Sequence, residues 1–298
     1  MMMNRTGSML IVLLEDKYLL VWDWNELQLV AHRATPRNAL ALTCAKYEAD
    51  KECVIVGEKT GEVVAFPLPN VTDGTATLLQ HTTSMITDVL MSKDDQFLIT
   101  ADRDEKIRVS NFPHTALTET YCLGHRAYVR KMRLWQDQFL VSVDGDGVVC
   151  LWEYQQGQLL SSIRIQQYDD FIPEDLVVLD DQVVLRGKRE SVIHLISIDV
   201  SSKTFHEKVQ QVDVVVPPQS MTVVETKLVL THAQAPFVSV YSRNHLKLWD
   251  KIIGEHEPVL EKVRRISEQL GEEKMETTGE SWNKNNVLEL KKKKIRSV

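Results

Sequence analysis

The hydrophobic positions of this chain fall in short runs, each meeting a polar turn and then a second short run. In Asp94–Ser110, DDQFLITADRDEKIRVS, the residues Phe97, Leu98 and Ile99 lead into the charged turn Arg103-Asp104-Glu105-Lys106. Ile107 and Val109 then alternate with Arg108 and Ser110 on the way out. Alternation beside a polar turn predicts a β-hairpin with its charges at the tip. Related runs close at Trp22 (YLLVWD), Phe66 (GEVVAF), Trp152 (GVVCLWE), Ile196 (SVIHLI) and Tyr241 (PFVSVY), with Ser110 in the same place here. Those six positions, in chain order, stand 44, 44, 42, 44 and 45 residues apart. A repeat of about 40–45 residues, with a hairpin and a tight turn in each copy, is the signature of four-stranded propeller blades. The expected fold class is all-β, a β-propeller with about six blades readable, spanning residues 8–250.

The copies differ in chemistry. The fourth carries Leu123-Gly124-His125 ahead of a strand, a second strand at Phe139–Val143, the turn Asp146-Gly147 and the closing Leu151-Trp152-Glu153. This copy resembles a WD repeat, which makes the expected propeller WD40-type and implies a hydrogen-bonded chain of His125, Ser142, Asp146 and Trp152. A buried imidazole, carboxylate and indole each cost free energy unless partnered, and they partner one another. His125 and Asp146 are therefore read as structure, not as a catalytic pair. The turns of the second copy (Gly57–Gly61), the fifth (Arg186–Glu190) and the sixth (Ala233–Pro236) lack the full set, so apolar packing must hold those units. Only 21 residues precede Trp22, so the first unit is expected to be incomplete and the ring open or continued upstream.

Beyond Tyr241 the repeat stops. Val259, Val263, Ile266 and Leu270 recur at helical spacing between Pro258 and Gly271, which predicts an amphipathic helix within 251–271. Its apolar stripe suits the propeller's own flank and a partner equally. The polar remainder, 272–298, is expected to be flexible and ends in the basic cluster Lys291, Lys292, Lys293, Lys294 and Arg296. Such a cluster suits a solvated tail, a nuclear localisation signal or an arm contacting RNA phosphates.

Composition removes several function classes. A net charge of −7 argues against a surface given over wholly to nucleic acid, though not against a local basic patch. Cys44, Cys53, Cys122 and Cys150 have no metal-site spacing and are read as reduced, buried thiols of an intracellular protein. Met9–Leu14 is too short to span a bilayer and has no cleavage site, so neither a membrane span nor a signal peptide is expected. There is no phosphate-binding glycine loop, HExxH or nucleophile elbow, and the remaining histidines are scattered singly. No catalytic residue, cofactor site or metal site is assigned.

The run Asp94–Ser110, followed by Cys122-Leu123-Gly124-His125, resembles the WD-repeat non-catalytic subunit of the eukaryotic tRNA (guanine-N7-)-methyltransferase. The likeness is specific, because a generic repeat carries Asp-Gly at the turn and Trp at the strand end, where this copy has Asp104-Glu105-Lys106 and Ser110. Weaker resemblance runs from Ser8 to Asn244. It implies a seven-bladed, longer propeller that scaffolds a separate S-adenosylmethionine-dependent catalytic subunit, with tRNA met mainly through the complex and the nucleus as location. It also implies partner binding by Arg103, Asp104, Glu105, Lys106 and Arg108. With Lys106, Arg108 and Ser110 on one strand face, Arg108 is expected to brace the turn against Asp102 or Asp104. A generic adaptor, such as a ubiquitin-ligase substrate receptor, fits the repeats but leaves that turn unexplained. A propeller enzyme needs convergent carboxylates or histidines that the sequence does not display.

Overall fold

A computed structural model describes residues 1–252 apart from 15–16, 36–37, 49–50, 73, 75, 81–83, 166–170, 189, 215, 225, 233–237 and 244–248. Its described structure is all-β, in six sheets that are antiparallel meanders. The chain divides into two units, Met1–Lys188 with His194–Gln210 and Arg189–Ile193 with Gln211–Val298.

The first unit holds four sheets and most of a fifth. Sheet one is β1 (Met2–Met3), β2 (Met9–Leu13), β3 (Tyr18–Asp23) and β4 (Gln28–Ala34). Sheet two is β5 (Ala39–Glu48), β6 (Lys51–Glu58), β7 (Glu62–Pro67) and β8 (Ala76–Gln80). Sheet three is β9 (Ile86–Met91), β10 (Phe97–Asp102), β11 (Ile107–Asn111) and β12 (Thr118–Cys122). Sheet four is β13 (Val129–Trp135), β14 (Phe139–Asp144), β15 (Val148–Glu153) and β16 (Gln158–Arg164). Sheet five runs β17 (Pro173–Leu179), β18 (Gln182–Gly187), β19 (Val192–Asp199) and β20 (Thr204–Phe205), with β21 (Gln210–Asp213) also beside β19.

Why the apolar runs are continuous in the middle strands follows from burial on both faces. Alternate side chains of one strand enter different cores. On β14, Leu140 packs with Ile99 and Val109 of sheet three, while Val141 and Val143 pack with Leu176 and Leu185 of sheet five. On β10, Leu98 joins the core shared with sheet two and Ile99 the core shared with sheet four. A fourth core, with Ile11, Val21, Val54 and Phe66, joins sheets one and two. Every residue of β14 and β18 is buried. The outermost β4, by contrast, alternates exposed and half-buried positions because its sheet has no further strand to cover it.

The second unit carries sheet six: β22 (Pro218–Val224), β23 (Lys227–His232), β24 (Val238–Arg243) and β25 (Trp249–Ile252). Leu228, Leu230, Val240 and Tyr241 are buried there.

All six repeat-closing residues lie on the third strand of their sheet, which is why their spacing reads as one period. The abbreviated first unit has four strands, but its first is cut to Met2–Met3. Among the described residues, strands thus begin ahead of residue 8 and reach Ile252. The remainder of the expected helix and the basic cluster Lys291–Arg296 lie outside the described residues.

Candidate functional site

One turn geometry recurs between the second and third strands. The second strands of sheets two to five end at Glu58, Asp102, Asp144 and Gly187, and each of these pairs with the first residue of the sheet's first strand: Ala39, Ile86, Val129 and Pro173. The next backbone N–H then donates to the carbonyl just before that first strand. The pairs are Lys59 to Asn38 (2.9 Å), Arg103 to Met85 (2.9 Å), Gly145 to Tyr128 (3.0 Å) and Lys188 to Ile172 (2.9 Å). Three residues past the strand end in sheets two to four, the chain turns left-handed, at Gly61 (φ 86°), Glu105 (φ 70°) and Gly147 (φ 75°).

The turn of sheet three departs from those of sheets two and four. Glycine takes positive φ without steric cost, whereas a side chain there costs about 1 kcal/mol or more. Asp102 compensates: its buried carboxylate Oδ1 accepts the N–H groups of Asp104 (2.8 Å) and Lys106 (3.1 Å). The Asp104 N–H also reaches Ser84 Oγ at 3.1 Å. The result is a rigidly seated tip on which Arg103, Asp104, Glu105 and Lys106 are all exposed. Four charged side chains thus stand exposed on a backbone held from below.

Arg108 is half-buried, but its guanidinium is not aimed at Asp104. Nε donates to Ser110 Oγ (3.0 Å) and Nη2 to the Thr115 carbonyl (3.1 Å). The two-residue strand period sets Arg108 and Ser110 side by side, and the loop after β11 brings Thr115 within reach. Arg108 therefore ties β11 to its own following loop, and the bracing of the tip belongs to Asp102 and Ser84. Sequence reading named Asp102 only as an ion partner for Arg108 and passed over Ser84. The signal that could have found Asp102 is its place 42 residues before Asp144, each closing a strand and followed by a charged or glycine turn.

Sheet four holds the WD-type chain, with one correction. His125 Nε2 lies 2.7 Å from Ser142 Oγ, and Trp152 Nε1 donates to the same hydroxyl at 2.8 Å. The carboxylate is Asp144, whose Oδ2 sits 3.0 Å from His125 Nδ1; it is not Asp146. An indole only donates and a carboxylate only accepts, so Trp152 donates to Ser142 and His125 donates to Asp144, with the Ser142–His125 hydrogen bond joining the two. Asp144 Oδ1 meanwhile accepts the N–H groups of Asp146 (3.0 Å) and Val148 (2.9 Å), as Asp102 does one sheet earlier. Asp146 is two residues beyond the strand, with its side chain 58% exposed and 3.9 Å from Arg164. The strand must end on the buried carboxylate for it to face both His125 and the turn amides.

Burial pushes the thiols of Cys44, Cys53, Cys122 and Cys150 up to about 12, and all four are free. Among the described residues there is no group of three or more His, Cys, Asp or Glu placed to hold a metal, and no helix is long and apolar enough to cross a membrane.

The model of the tRNA methyltransferase TRM82 WD40 domain matches residues 72–235, more than half of the chain. The human tRNA (guanine-N(7)-)-methyltransferase non-catalytic subunit WDR4 is 34% identical over 173 residues, covering 57% of this chain and 40% of that protein. The Drosophila melanogaster subunit wuho is 36% identical over 141 residues, covering 44% of this chain and 33% of that protein. The matches thus span less than half the length of these relatives. Among solved structures, the RRP9 WD40 repeats superpose with a TM-score of 0.63 at 17% identity, covering 78% of this chain and 72% of that one. The computationally designed Ika8 protein gives 0.57 at 20%, covering 78% and 67%. These two likenesses carry the fold alone.

Proposed function

Since the chain belongs to the family of the tRNA methyltransferase TRM82 WD40 domain, we propose that it is a non-catalytic scaffold that binds and stabilises a separate catalytic subunit forming N7-methylguanosine in tRNA. The relatives' names supply the non-catalytic role and the reaction. S-adenosylmethionine belongs to the catalytic partner in this reading, tRNA is met mainly through the heterodimer, and the complex works in the nucleus.

The observation that carries the docking role is the third-sheet turn. Its exposed Arg103–Lys106 tip stands on a buried carboxylate, and Glu105 holds a left-handed backbone where the turns of sheets two and four have glycine. Backbone strain of this kind persists where the surroundings over-determine it and concentrates at functional sites. Lys17 holds the same left-handed backbone (φ 69°) in the turn between β2 and β3, so what marks the third sheet is an all-charged tip seated on the buried Asp102 carboxylate, a combination that a generic adaptor leaves unexplained. Co-purification of the tagged full chain followed by mass spectrometry tests the reading. A stoichiometric methyltransferase that is lost when Glu105 and Lys106 are exchanged for Lys and Glu supports it. Recovery of ubiquitin-ligase components instead, or an undiminished methyltransferase with the exchanged tip, refutes it.

A further inference from the structure

We propose that Asp88 is a positioning residue for the docking tip, acting through a cross-sheet clamp to β13; this rests on the reading of the third-sheet turn as the docking element. Asp88 lies on β9, its side chain only 7% exposed. Its register partner on β10 is Ala101, and the ladder shifts between Ala101 and Asp102, so that Asp102 pairs with Ile86. Asp88 therefore stands immediately beside the irregularity that sets the orientation of Asp102, the residue that gathers the tip amides.

From the other side Asp88 is held by sheet four. Its Oδ2 accepts the Met132 backbone N–H at 2.9 Å and lies 3.5 Å from Arg133 Nη1, while Oδ1 lies 3.5 Å from Lys131 Nζ. Arg133 continues the link, Nη2 standing 3.6 Å from Asp175 Oδ1 on β17. Asp88, Lys131 and Asp175 occupy corresponding register positions, opposite Ala101, Val143 and Arg186, so neighbouring first strands alternate acid, base, acid. β9 and β13 belong to different sheets and share no strand ladder. The buried carboxylate is the polar link that fixes one first strand against the next at the height of the tip. Without it the Met132 N–H is orphaned, Lys131 loses a carboxylate partner, Arg133 is left with Asp175 and the Met132 carbonyl, and the irregularity beside Asp102 loses its anchor.

Hydrogen exchange on the full chain measures this directly. In Asp88→Leu the amides of Asp104 and Lys106 should exchange about tenfold faster or more than in the parent, while Gly61, bonded to Glu58 in the corresponding turn of sheet two, should change little. Asp88→Asn, which keeps an acceptor for Met132 but loses the charge, should fall between. If Asp88→Leu fails to fold, Arg133→Met serves, since it removes only one of the three groups that hold Asp88. Equal acceleration at Asp104, Lys106 and Gly61 means general loosening and overturns the positioning role. Affinity for the catalytic subunit separates the two ideas. A tip variant that binds normally sinks the docking reading and leaves the exchange result to decide on Asp88. Loss of binding in the tip variant, with parental exchange in Asp88→Leu, sinks this inference alone.

Discussion

Replacing Asp144 by Ala removes the acceptor of three donors at once: His125 Nδ1 at 3.0 Å and the N–H groups of Asp146 at 3.0 Å and Val148 at 2.9 Å. The imidazole is fully buried, so its abandoned N–H carries most of a desolvation cost of about 1–3 kcal/mol. The turn amides recover some water as the turn loosens, and each loses about 0.5–1.5 kcal/mol. Together the loss is about 3–5 kcal/mol, a large share of a stability that is typically about 5–15 kcal/mol. For a domain of this size that lowers Tm by about 10 °C. Asp146→Ala is the control, because its half-exposed carboxylate with Arg164 3.9 Å away is worth about 0–1 kcal/mol. Thermal unfolding followed by circular dichroism should therefore separate two aspartates that sit two residues apart. Equal Tm losses for the two variants, or a loss under about 2 °C for Asp144→Ala, would refute the assignment of the buried chain.

Four further outcomes are expected. Glu105→Gly relieves the left-handed backbone and should raise stability by about 0.5–1 kcal/mol while weakening affinity for the catalytic subunit; in calorimetry an unraised stability would refute the strain, and an unchanged affinity the docking role. Gly57→Ala should cost about 1–3 kcal/mol in urea unfolding, because its new Cβ would stand 2.5 Å from Ile86 Cγ2 in a packed core. The four cysteines should resist a thiol reagent at pH 8 until the chain is unfolded. Their folded pKa values are raised from 9.0 to about 12, so the folded state keeps protons that the unfolded state releases, and stability should fall as pH rises through this window. If the basic cluster touches tRNA, deleting 291–296 should weaken tRNA binding by the complex and flatten its salt dependence; an unchanged slope leaves the cluster to nuclear import or to solvent.

The sequence by itself determined the repeat. Trp22, Phe66, Ser110, Trp152, Ile196 and Tyr241 mark the third strand of six sheets because a blade is a fixed length of chain that crosses the fold four times. It also determined that Arg103–Lys106 is a charged tip, since period-two alternation on either side leaves no other place for those residues. What it did not carry was which of several nearby polar groups meet. Asp144 and Asp146 are equivalent on paper, and only the end of β14 against His125 decides between them. Arg108 had acids close in sequence, yet the loop after β11 brought it a carbonyl instead. Asp88 carries no local signal, because its partners Met132 and Arg133 lie 44 and 45 positions away on another sheet. Local periodicity fixes strands and faces, whereas hydrogen-bond choice depends on how sheets distant in sequence come to stand side by side. The glutamate at the third turn belongs to both accounts: the chain shows that it is not glycine, and the folded backbone shows what holding it there requires.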